Sequence, residues 1–113
     1  MPVQHYPSLG SIVFHRQCAM KHALNRARDR LGETFTEADV RDHGRSIIVG
    51  LSTKLGTGGG LRELHLIERD SKQFFPVWCP NINQVVTYLC SPKEWRGGFT
   101  VEGAALIEKA NAA

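Results

Sequence analysis

The chain has 113 residues, of which 42% are hydrophobic and 22% charged, with a formal net charge of +3. That size and balance predict one folded domain over 1–113 and exclude a disordered chain. No apolar run approaches the roughly 18 residues of a membrane span, and MPVQHYPSLG lacks the basic-then-apolar order of a signal peptide, so a cytoplasmic protein with no membrane partner is expected.

In chain order, the first ten residues carry Pro2 and Pro7 and read as an extended lead-in. Residues 16–31 predict a first helix: Met20, Ala23, Leu24, Ala27 and Leu31 recur at helical spacing as a buried stripe, and Gly32 stops it. Thr36 followed by Asp39 is a capping start for a short second helix over 37–43, ended by Gly44. Ser46 to Ser52 (SIIVGLS) is β-rich and reads as a first, central strand. LGTGGG at 55–60 reads as a flexible loop; it lacks the GK[ST] ending and strand–loop–helix setting of a phosphate loop.

Three further strands follow at 61–69, 73–79 and 84–90, with turns at Asp70–Lys72 and Pro80–Asn83. Alternation puts Leu64 and Leu66 on the core face and Glu63, His65 and Ile67 on the other. Pro76 lacks a ladder donor and points to an edge or a bulge. Thr100 caps a last helix with an apolar side of Ala104, Ala105, Leu106, Ile107 and Ala110. The predicted fold is α+β, with N-terminal helices packed on a four-stranded, mainly antiparallel sheet and a C-terminal helix.

The most informative stretch is HALNRARDRLG, from His22 to Gly32. Steps of four residues stack His22, Arg26 and Arg30 along one helix face. An imidazole that moves protons near neutral pH then points the same way as two permanent cations. RNA cleavage without a metal needs that combination: a proton carrier for the 2′-hydroxyl or the leaving oxygen, and guanidinium forks for the phosphate. The same stripe also reads as a solvated face with weak surface ion pairs. Downstream, the hydroxyls of Thr87 and Tyr88 are candidates to orient a phosphate, although both are also ordinary strand residues. Lys54 and His65 are further candidates, and Trp95, between Lys93 and Arg96, suits base stacking, a protein contact or a cover for the sheet end.

Taken together, the HALxRxxxRLG helix, the FTEADV helix start and paired strands ending in VVTYL resemble the small microbial ribonuclease superfamily that includes RelE-like toxins, colicin-type tRNA nucleases and barnase. The resemblance spans about residues 20 to 90. It implies metal-independent endoribonuclease action on tRNA or mRNA, giving a cyclic phosphate, by a toxin or effector. Residue by residue, it carries a catalytic role to His22, Arg26 and Thr87, and RNA contact to Arg30 and Tyr88. The chain departs from the pattern in its glycine-rich 56–60, in Pro76 and in its C-terminal helix. A cognate antitoxin or a host protein is the expected protein partner. A non-catalytic, phage-type inhibitor of a host protein on the same scaffold is the alternative.

No cofactor and no metal are expected. His15, Cys18 and His22 have helix-compatible spacing, but no CxxC pair exists, and three cysteines are an odd count for a disulfide framework.

Overall fold

A computed structural model describes residues 9–112. The elements are α1 (Leu9–Leu31), α2 (Glu37–Ile48), β1 (Thr53–Thr57), β2 (Glu63–Arg69), β3 (Lys72–Cys79), β4 (Gln84–Leu89), β5 (Gly98–Phe99) and α3 (Val101–Ala112), with 3-10 turns at Gly59–Leu61 and Pro92–Glu94. The lead-in expected for the first ten residues falls mostly outside the described residues; Leu9 and Gly10 already belong to α1, so this helix is longer than its apolar stripe alone indicates.

The second helix starts where predicted. Thr36 Oγ1 accepts from the Asp39 amide at 3.2 Å and Asp39 Oδ2 accepts from the Thr36 amide at 2.8 Å, closing a capping box. Its end does not fall at Gly44. Gly44 is buried inside the helix and packs on the sheet, where a Cβ would sit at an ordinary contact distance of 3.4 Å from Trp78. Nor does 46–52 form a strand. The Leu51 amide donates to the Ser46 carbonyl at 2.8 Å and the Gly50 amide to the Ile47 carbonyl at 3.2 Å. With Gly50 at φ +79°, this is a left-handed C-terminal cap that ends α2. The β-branched residues Ile47 and Ile48 therefore complete the helix.

The first strand is instead β1, which starts at Thr53 and runs into the first half of the expected glycine loop. The five strands form one antiparallel sheet in the order β4-β3-β2-β1-β5, one strand more than the four predicted. Asp70 and Ser71, both at positive φ, make the two-residue turn that joins Arg69 to its partner Lys72. Pro76 lies in the interior strand β3, not at an edge; the β3–β4 register shifts beside it, between Val77 and Trp78.

Both faces of the sheet are covered. On one, Ile67, Trp78, Val85 and Tyr88 pack with Met20, Ala23 and Ala27 of α1 and Val40 and Ile47 of α2. On the other, Leu64, Leu66, Phe75, Val77 and Val86 pack with Leu55, Trp95 and Leu106 of α3. The predicted alternation of Leu64 and Leu66 against Ile67 holds, and each side has its own core. Each such large aliphatic side chain contributes roughly 1.5–3 kcal/mol on burial.

The contacts of α1 with the sheet concentrate on β4. Met20 and Gln84 line one hollow, and Arg30 donates to the Tyr88 carbonyl at 3.3 Å. Ten helical residues cover roughly 15 Å and four strand residues roughly 13 Å, so helix and strand run side by side in the same direction. The helix thus lies along the edge strand; the expected placement across the sheet, which the paired roles of His22 and Thr87 call for, is not what the chain adopts. The other edge is the two-residue β5.

Candidate functional site

The hydroxyl-bearing pair Thr87–Tyr88 is split by the pleat of β4. Tyr88 is fully buried on the α1/α2 side, and its hydroxyl is 2.8 Å from His43 Nδ1. Phe35 and His43 flank its ring, and Phe74 packs against both of them. Burial, with the Asp39 charge adding to it, pushes the Tyr88 phenol far above its ordinary value. The expected RNA contact by Tyr88 is thereby overturned: this hydroxyl has a partner and no route to solvent. Burial also holds the His43 imidazole below its ordinary value, with Asp39 offsetting part of the effect.

Thr87 is half-buried on the opposite face. It lines an open groove of about 360 Å³ with Arg62, Trp95, Arg96 and Glu94. The glycines of the 55–60 stretch shape this groove. A Cβ on Gly58 would come within 2.9 Å of the Trp95 ring, and one on Gly56 within 2.6 Å of its Nε1. The indole is seated against this glycine run, and its N–H donates to the Gly98 carbonyl at 3.2 Å. Trp95 therefore keeps a partly exposed face while covering the end of the second core. Glu94 is occupied: Oε1 accepts from the Cys90 amide at 2.6 Å, and Oε2 pairs with Arg30 at 3.0 Å. Arg62 and Arg96 are exposed and, among the described residues, have neither an ion pair nor a side-chain hydrogen bond. Two unneutralised guanidinium groups, a hydroxyl and an indole thus share one concavity, an arrangement that can hold a phosphodiester with a base beside it.

The helix stripe approaches from the side. Arg30 is half-buried and ties α1 to Glu94 at the groove. Ala19, which at about 100° per residue points nearly the same way as Arg26 and Arg30, packs into the second core. Arg26 and His22 are exposed, without partners among the described residues, and turn progressively toward solvent. Neither lines the groove itself.

Lys54 and His65 are not part of this groove. Lys54 lies opposite His65 in the β1–β2 register, and both point to the α1/α2 face, away from Thr87. His65 is buried, with Nδ1 2.8 Å from Ser52 Oγ and Nε2 2.9 Å from Glu63 Oε1. Lys54 Nζ is 3.4 Å from Glu63 Oε2. Joint RNA contact by Lys54, His65 and Thr87 is therefore ruled out by strand alternation.

Cys18 and Cys90 are exposed, Cys79 is buried, and all three are free thiols. Among the described residues no cluster of three or more His, Cys, Asp or Glu is placed to hold a metal ion, and no helix is long and apolar enough to cross a membrane. The chain matches no protein-family model, no curated protein and no solved structure. Arg62 and Glu63 went unassigned in the sequence because their meaning depends on register; only the Glu63-x-His65 spacing, two residues apart on one strand face, signals a pair.

Proposed function

We propose that this protein is an RNA-binding, endoribonuclease-type toxin or effector of the cytoplasm, similar to the small microbial ribonucleases its helix and strand motifs resemble. The convergence of unpaired Arg62 and Arg96 with Thr87 and the partly exposed Trp95 carries this reading. A chain with net charge +3 that leaves two guanidinium groups free in one concavity is suited to a polyanion. In this reading the strand passes from the Trp95 groove along the β4 edge, where Arg26 holds a second phosphate. His22 carries the proton as the ribose 2′-oxygen attacks phosphorus and the 5′-oxygen leaves, giving the cyclic phosphate. Arg30, already engaged by Glu94, fixes the helix against the groove.

Incubation of the purified chain with bacterial RNA in the presence of a chelator tests the proposal. Wild type should cleave, His22→Ala should slow cleavage about 100-fold or more, and Arg62→Ala with Arg96→Ala should weaken RNA binding and flatten its salt dependence. Salt-sensitive binding without cleavage would reduce the reading to an RNA-binding module. A salt-insensitive, stoichiometric protein partner with no RNA affinity would replace it by the inhibitor reading.

A further inference from the structure

The second polar constellation, on the other face of the sheet, has the parts of a covalent catalyst. Glu63 and His65 are two residues apart on β2 and so share a face. Burial pushes the Glu63 carboxyl up, but the hydrogen bond with His65 and the nearby Lys54 ammonium outweigh it and hold Glu63 below its ordinary value. Burial holds His65 below its ordinary value against the opposing pull of Glu63. Near neutral pH the pair is thus carboxylate and neutral imidazole. A carboxylate only accepts, so His65 Nε2–H donates to Glu63 at 2.9 Å. That fixes the tautomer. Nδ1 then carries the lone pair and accepts the Ser52 hydroxyl proton at 2.8 Å.

A hydroxyl within hydrogen-bond reach of an imidazole, itself oriented by a carboxylate, is the signature of an activated nucleophile. The two ring nitrogens are interchanged relative to the serine-protease arrangement, which leaves the proton route intact. Lys54 holds the second oxygen of Glu63 and so keeps the first on His65. Ile48, Val49 and Leu51, in the segment that leads into Ser52, are 65%, 60% and 75% exposed, so apolar surface precedes the hydroxyl along the chain.

We propose that Ser52 is a nucleophile for acyl transfer from apolar esters, with His65 as its base and Glu63 as the positioning residue. In the step, a bond forms between Ser52 Oγ and the ester carbonyl carbon, and the bond from that carbon to the alcohol oxygen breaks. The Ser52 proton passes to His65 Nδ1 and then to the departing alcohol. Water, deprotonated by the same nitrogen, returns the acid and free Ser52. This site is independent of the RNA groove and lies on the opposite face.

The purified full chain with p-nitrophenyl butyrate tests this. Wild type should release nitrophenolate faster than buffer, and a quenched sample should carry one butyryl group mapped to Ser52. Ser52→Ala should lose both, and His65→Asn should be slowed about 100-fold or more. Glu63→Gln, which frees the tautomer, should lower the single-turnover acylation rate while leaving the ester concentration that half-saturates that rate unchanged. Equal hydrolysis by folded Ser52→Ala, or wild type no faster than buffer, overturns the proposal. Should Ser52→Ala fail to fold, treatment of wild type with phenylmethylsulfonyl fluoride and peptide mapping decides: modification at Ser52 upholds it, and modification elsewhere or none overturns it.

Discussion

The two faces of the sheet are built on different terms. The α1/α2 face is aromatic and hydrogen-bonded: Tyr88, His43, Phe35 and Phe74 fill it, and Arg69 pairs with Asp42 and reaches Ser46 to tie β2 to α2. The α3 face is aliphatic and depends on close backbone approach, with Gly103 seated against the Leu55 carbonyl and the glycine run against Trp95. The first face hides its polar groups by pairing them. The second leaves Arg62, Arg96 and Thr87 facing a groove. Adjacent residues of β4 therefore have opposite fates, Tyr88 locked into a core and Thr87 at an open site.

Three measurements break or sharpen this contrast. The largest effect is expected at Gly103→Ala. Its new Cβ would overlap the Leu55 backbone, which cannot swing away as a side chain can, so a loss of about 3 kcal/mol is expected from overpacking. A urea midpoint equal to wild type would show that α3 does not rest on this contact. Next, Tyr88→Phe keeps the ring but leaves His43 Nδ1 buried and unpartnered, at a cost of about 2 kcal/mol. Thermal unfolding checks it, and an unchanged melting temperature would mean the aromatic packing carries that face without the hydrogen bond.

The third is the gentlest. His43 and His65, both on the α1/α2 side, are held below the ordinary value of 6.5 chiefly by burial. Between their folded values and 6.5, the unfolded chain binds more protons than the folded one. Their contribution is therefore fully present above 6.5 and is lost as pH falls through that window. Stability should decline on acidification from about pH 7 to about pH 5. A midpoint that rises over that range would contradict the neutral state of the two imidazoles.

Much of the architecture was readable because it rests on local chemistry. The apolar spacing of α1 and the Thr36–Asp39 cap both stand. So does Thr100, whose Oγ1 accepts from the Gly103 amide at 3.0 Å and whose carbonyl accepts from Ala104. The errors arose where distant contacts overrule local preference. SIIVGLS has strand composition, but burial of Ser46 and Ile47 against the sheet and the cap at Gly50 make its first half helical. Gly56 reads as loop, yet it pairs with Leu64 and Phe99 and accommodates Trp95 from far along the chain. At the sites, the opposed directions of Thr87 and Tyr88 follow from strand alternation alone. The meeting of Ser52 with His65, thirteen residues apart, depends on where the chain turns between β1 and β2, and no local pattern encodes that.

The way the sheet is bordered bears on how this protein can associate. One margin is shielded by a 23-residue helix whose Arg30 already takes an outward carbonyl of β4; the other is two residues long. Bare strand margins invite foreign strands, in specific recognition and in aggregation alike. Among the described residues one margin, β4, is covered by α1 and the other, β5, is too short to template one. A binding partner should therefore engage side chains or helix surfaces, and concentrated solutions should resist fibril formation even though both faces of the sheet are rich in aliphatic and aromatic side chains.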